Sequence, residues 1–284
     1  MAEQAPRERR IRSRDGYTLV VLDWAGDASR TPLLCLSGIG RNALDFAGLA
    51  ERHAGQRRVV ALDYIGHGES DRAAEVTRYD PREALADVLD VCAALGMPRV
   101  VTVGTSFGGL LSMFLALQRP AMLRGVVLND IGPRIESGGG GRGGGFLGGG
   151  PAFASEAEAA QYLRRVQPQL PVADEAGWLR LAARTYKRGP DGRLHPRWDL
   201  RIARAMDTGA AVSDFGPLFS GLHDIPVLLV WGELSEILSA ATVNRMRGEK
   251  PDLELVVHPT SGHAPLLEEP EIAPRLDAFL DQLA

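Results

Sequence analysis

Gly104-Thr105-Ser106-Phe107-Gly108 sets a serine between two glycines, each two positions away. A serine on a very sharp strand-to-helix turn needs small neighbours at that spacing, because larger ones stop the turn from closing. The turn lifts the hydroxyl clear of the backbone. It also leaves the N–H of Phe107 at a helix N-terminus, free to bind a developing oxyanion. A serine becomes a nucleophile only when a base takes its proton. His263, in Ser261-Gly262-His263-Ala264-Pro265, is the candidate base. Two carboxylates, Asp130 and Glu236, compete for the role of the group that fixes the imidazole tautomer and stabilises its charged form. The glycine-rich stretch Ser37-Gly38-Ile39-Gly40-Arg41-Asn42 can turn backbone N–H groups toward the same spot, and Ile39 is the candidate second oxyanion donor. The chemistry would be acyl transfer. Ser106 would attack a carbonyl, and His263 would take its proton and later hand it to the leaving group.

These groups meet only if the chain folds to place them on one rim. Short apolar, β-branched runs read as buried strands: Pro32–Leu36, Arg58–Leu62, Arg99–Val103, Gly125–Leu128, Pro226–Trp231 and Leu253–His258. Arg7–Arg14 and Tyr17–Trp24, joined through Asp15-Gly16, read as a hairpin at a sheet edge, with the arginines solvated. Helices are predicted over Pro81–Leu95, with Leu85, Val88, Leu89 and Cys92 on one face, and over Leu110–Leu117, Ala240–Arg247 and Pro270–Leu283. Alternation of strands and helices argues for a mainly parallel sheet covered on both faces. Ser106, Asp130, Glu236 and His263 all fall just beyond predicted strand ends, and in a parallel sheet those ends share one rim.

Between the strands ending at Leu128 and beginning at Pro226 the composition changes. Ser137–Gly150 is almost all glycine. It does not follow a strand-to-helix pattern and lacks a Lys-Ser/Thr ending, which excludes a phosphate-binding loop and leaves a mobile linker or lid edge. Ala152–Val166 and Glu175–Lys187 then read as helices, Gly189–Gly192 as a turn and Asp199–Asp207 as a third short helix. Residues 134–217 are therefore expected to form an inserted helical cap with a Gly-rich start at 138–150. Residues 1–133 and 218–284 are expected to form the core. The aromatics Phe153, Tyr162, Trp178, Tyr186 and Trp198 pack the cap in this reading, and one or two line a substrate pocket.

At 284 residues there is room for one large domain with an insertion. A net charge of −4 gives no footprint for nucleic acid. No apolar run is long enough to cross a bilayer, and Met1–Arg14 lacks the apolar core of a signal peptide, so a cytoplasmic protein is expected. Cys35 and Cys92 are expected as buried core thiols and not as a disulfide.

The motifs together resemble the α/β-hydrolase superfamily. They are Ser37-Gly38-Ile39-Gly40, Asp63-Tyr64-Ile65-Gly66-His67-Gly68-Glu69-Ser70, Gly104–Gly109, Val127–Pro133, Gly232-Glu233-Leu234-Ser235 and Gly262-His263. The resemblance implies an eight-stranded sheet, a cap after the sixth strand, and neither metal nor other cofactor. In that family the loop after the third strand usually begins His-Gly, and here it begins Ser37-Gly38. The family's usual acid lies three residues after the glycine of the seventh-strand loop, which is Ser235 here. Some members take the acid from the end of the sixth strand instead, and Asp130 matches that position; Asp130 is therefore preferred to Glu236. His67 is read as structural, in a loop packed beside the sheet.

The expected activity is hydrolysis of a small carboxylic ester or lactone through an acyl-enzyme. Two alternatives stay open: hydrolysis of a carbon–carbon bond in a diketone-like substrate, and a non-catalytic small-molecule receptor on the same scaffold.

Overall fold

The computed structural model describes residues 5–53, 55–135, 147, 150–206 and 213–283. Eight strands form the main sheet: β1 (Arg7–Arg12), β2 (Thr18–Trp24), β3 (Leu33–Leu36), β4 (Val59–Asp63), β5 (Val100–Thr105), β6 (Leu123–Asn129), β7 (Val227–Gly232) and β8 (Glu254–His258). Their order is β1-β2-β4-β3-β5-β6-β7-β8. The hairpin β1–β2 is antiparallel, as is β2 against β4; every pair from β4 to β8 is parallel. Residues such as Val59–Asp63 and Val227–Gly232 are buried throughout, as strands covered on both faces must be.

Nine described helices are named here: α1 (Ala47–His53), α2 (Pro81–Ala94), α3 (Phe107–Gln118), α4 (Glu156–Val166), α5 (Glu175–Thr185), α6 (Ile202–Met206), α7 (Gly216–Ser220), α8 (Ala240–Glu249) and α9 (Ala273–Gln282). One large apolar cluster on one side of the sheet joins Leu34, Leu62, Val88 of α2 and Leu111 of α3. A second joins Leu33, Val103 and Leu228 to Leu49 of α1 and Phe279 of α9. The sheet is thus sandwiched, and its strand ends stay open to carry loops.

A third cluster, Phe153, Leu163, Trp178, Leu181, Tyr186 and Leu194 among others, is made wholly of residues between β6 and β7. At its base Arg134–Ile135 pairs antiparallel with Ser213–Asp214, where the chain leaves the sheet region and returns.

Several boundaries differ from the sequence expectations. The helix expected to reach Lys187 ends at Thr185, because Tyr186–Arg188 pairs with Leu194–Pro196 as a small hairpin around the Gly189–Gly192 turn. The helix expected from Ala152 starts at Glu156, where the Ser155 hydroxyl accepts the Glu158 N–H. The last helix begins at Ala273, not Pro270. Helix α1 carries no strong periodic signal and was not foreseen. Most of the Gly-rich run, and Asp207, lie outside the described residues. Cys35 and Cys92 are separate buried thiols.

Candidate active site

Ser106 sits between β5 and α3 with φ +50° and ψ −111°, a conformation rarely adopted by a residue with a side chain. The neighbours explain how it is held. A Cβ on Gly104 would lie 2.5 Å from the Gly108 backbone, and a Cβ on Gly108 would lie 1.9 Å from the Leu36 carbonyl oxygen. Only glycines let the turn close against β3. The Ser106 N–H donates to Asn129 O over 2.9 Å, and Ser106 O accepts from Gly109 and Leu110.

The rim of the sheet brings three expected groups into one hydrogen-bonded chain. His263 Nε2 lies 2.8 Å from Ser106 Oγ, and His263 Nδ1 lies 2.7 Å from Asp130 Oδ2. Asp130 follows β6 directly, has φ +54° and is fully buried. Its carboxylate accepts three donors: the Gly232 N–H on Oδ1 at 3.0 Å, and the Ser235 hydroxyl at 2.6 Å plus His263 on Oδ2. A carboxylate with three donors is an acceptor only, so Nδ1 of His263 carries the proton and Nε2 is left to accept the Ser106 hydroxyl. Glu236 is exposed, and His263 turns to Asp130 instead.

The loop bearing His263 is fixed from two sides. Glu233 N donates to His258 O and Leu234 N to Ser261 O, each over 3.0 Å, zipping it to the loop after β7. The Asn129 side-chain amide donates to Pro265 O over 2.8 Å. Ser235, at the family's usual acid position, is in direct contact with the acid candidate. Its place after Gly232 was the signal that it would reach this spot.

The two candidate oxyanion donors flank Ser106. Phe107 is the first residue of α3, where a backbone N–H has no partner within the helix. A Cβ on Gly38 would lie 3.6 Å from Ser106 Cβ, so the Ser37–Asn42 loop runs beside the serine. A turn closes this loop with Arg41 N donating to Gly38 O over 3.1 Å, and the Gly40 N–H donates to His67 Nε2; the Ile39 N–H takes part in neither bond. Ser37 Oγ is buried with no hydrogen-bond partner among the described residues.

The profile of the alpha/beta hydrolase fold matches residues 31–270. The chain belongs to the α/β-hydrolase family. This hydrolase is similar to a 3-hydroxybutyrate-oligomer hydrolase of Cupriavidus necator, with 30% identity over 256 residues and 87% of each chain covered. It is also similar to a 2-(acetamidomethylene)succinate hydrolase of Mesorhizobium japonicum, with 28% identity, 96% of this chain and 95% of that one. The crystal structure of an α/β hydrolase from Novosphingobium aromaticivorans superposes with a TM-score of 0.93 at 40% identity, covering 99% of both chains. Among the described residues of the hydrolase, no helix is long and apolar enough to cross a membrane.

Proposed function

We propose that this hydrolase cleaves small carboxylic esters, lactones included, with Ser106 as nucleophile, His263 as base and Asp130 as the acid of the triad. The observation that carries this reading is the unbroken chain Ser106 Oγ, His263 Nε2, His263 Nδ1, Asp130 Oδ2, with contacts of 2.8 and 2.7 Å. Ser106 Oγ attacks the ester carbonyl carbon while His263 Nε2 takes its proton. The carbonyl oxygen, now an anion, meets the N–H groups of Phe107 and Ile39. His263 then protonates the departing alkoxide, leaving an acyl group on Ser106. Water repeats the sequence, with His263 again the base, and the acid product leaves. Buried Asp130 holds the imidazole in the required tautomer and stabilises the imidazolium.

The relative from Cupriavidus necator supports an ester substrate, since units of a hydroxy-acid oligomer are joined at ester bonds. We assign residues 134–217 to a cap over this site, 138–150 being its Gly-rich start. The separate apolar cluster and the paired stem of Arg134–Ile135 with Ser213–Asp214 support that division.

The test is turnover of a short-to-long series of p-nitrophenyl esters, with covalent labelling by a serine-reactive phosphonate. Wild type turns over and is labelled; Ser106→Ala does neither. Absence of turnover on every ester, or labelling that persists in Ser106→Ala, overturns the reading.

A further inference from the structure

Asp63-Tyr64-Ile65-Gly66-His67, following β4, has no part in the chemistry above. It lies against the Ser37–Ala43 loop and holds that loop's backbone with three side chains. Tyr64 OH donates to Ser37 O over 3.2 Å. His67 Nε2 accepts the Gly40 N–H over 3.1 Å. Asp63 Oδ1 accepts the Ala43 N–H over 2.7 Å. All three side chains are buried.

The state of His67 is set at both nitrogens. Nδ1 faces the Ile65 carbonyl oxygen at 3.3 Å, so it carries the hydrogen, and Nε2 keeps the lone pair that the Gly40 N–H requires. Burial lowers the imidazole pKa to about 4, with the Ile65 carbonyl and the Asp199 charge opposing, so the ring is a neutral acceptor near neutral pH.

This grip bears on one peptide plane. In a trans peptide the C=O and N–H point in opposite directions. The Gly38 carbonyl accepts from Arg41 N, so the Ile39 N–H of the same plane points away from the turn. The planes on either side are pinned by Tyr64 at Ser37 O and by His67 at the Gly40 N–H. Tyr64 also sets its ring edge-on to both His67 and Phe107, with centroids 5.6 and 5.5 Å apart, which ties the loop to the other donor.

We propose that His67 is a positioning residue for the oxyanion site: by holding the Gly40 N–H it fixes the Ile39 N–H in the direction of the Ser106 reaction centre. The proposal rests on the assignment of Ile39 as an oxyanion donor.

Two substitutions separate this role from simple packing. His67→Gln offers a side-chain oxygen at the distance of Nε2, whereas His67→Leu fills the space with no acceptor. On p-nitrophenyl acetate, His67→Leu lowers kcat about 100-fold with KM within about threefold, the size expected for one displaced oxyanion donor. His67→Gln keeps kcat within about fivefold of wild type. Amide hydrogen exchange read by NMR gives a measure that needs no substrate. The Gly40 amide is protected in wild type and His67→Gln, and exchanges at least about tenfold faster in His67→Leu. Wild-type kcat in His67→Leu, a His67→Gln enzyme as slow as His67→Leu, or a freely exchanging Gly40 amide in wild type overturns the proposal. Where His67→Leu does not fold, wild type and His67→Gln decide by the same exchange and rate criteria. Lack of ester turnover by wild type sinks the proposed function, and the Gly40 exchange then decides whether His67 pins the loop.

Discussion

Ser235 donates its hydroxyl to Asp130 Oδ2 over 2.6 Å. The direction of that bond is forced. The same oxygen accepts the N–H groups of Ile237 and Leu238 at 3.1 and 3.2 Å, so its one hydrogen goes to Asp130. The position where the family usually carries its acid has thus become a donor to an acid on the neighbouring strand. Removing that donor in Ser235→Ala leaves two donors on a fully buried carboxylate. Hydrogen bonds to charged groups contribute roughly 1.5–3 kcal/mol, so kcat falls between about tenfold and about 100-fold, with KM little changed. Steady-state kinetics on p-nitrophenyl esters checks this, and an unchanged kcat refutes it.

The rival acids are ranked by geometry. Asp130→Asn removes the group that fixes the His263 tautomer and costs about four orders of magnitude in kcat, as in the serine protease example. Glu236→Gln stays within about threefold of wild type, since Glu236 is exposed and both ring nitrogens of His263 are already engaged by Asp130 and Ser106. Kinetics of the two variants side by side decides, and the reverse order moves the acid to Glu236.

Much of this was legible in the chain. The strand runs and their order around Gly104–Gly108 gave the sheet, because fully apolar β-branched runs have few other places to go. The Ser106 and Asp130 positions were readable because each follows a strand end directly, and His263 because it lies in the loop just past the last strand. The backbone donor to Asp130 and the grip of His67 on Gly40 were not readable. They join residues 102 and 27 positions apart through backbone N–H groups, which leave no residue-type signal. Helix α1 and the Tyr186–Pro196 hairpin were missed because short elements are fixed by tertiary contacts more than by periodicity.

Asp63 and His67 pull stability in opposite directions with pH. Burial raises the Asp63 pKa from 3.8 to about 6, partly offset by the Ala43 and Glu69 N–H groups, while burial lowers His67 from 6.5 to about 4. Between pH 4 and 6 the folded chain holds a proton on Asp63 that the unfolded chain has lost, so this group's contribution falls as pH rises. Over the same window the unfolded chain holds a proton on His67 that the folded chain lacks, so that contribution rises with pH. Each is on the order of 3 kcal/mol, and they largely cancel. Urea unfolding at pH 4, 5 and 6 tests the pair. Relative to wild type, Asp63→Asn gains stability more steeply as pH rises, and His67→Gln loses it. Parallel slopes in all three proteins would refute the assignment.

The loop that presents His263 touches the inserted segment at Gly262, whose N–H donates to Gln169 O over 2.8 Å. A Cβ on Gly262 would lie 2.6 Å from Gln169 Oε1 and 2.8 Å from Gln169 Cβ, so Gly262→Ala forces one side to move. The His263 loop is held by Leu234 N on Ser261 O, by the Asn129 amide on Pro265 O and by the 2.6 Å contact of Ser261 with His258. Gln169 is exposed and lies on a turn closed by Leu170 N on Gln167 O. The weaker side gives way, so residues 167–172 shift and His263 stays in place. Overpacking of this kind costs about 1–3 kcal/mol. Under the proposed assignment of 134–217 as the cap, that strain falls on substrate binding: KM for the longer p-nitrophenyl esters rises about tenfold, with kcat held within about threefold. A drop in kcat at constant KM would instead show that the histidine loop had moved, and would remove Gln169 from the binding surface.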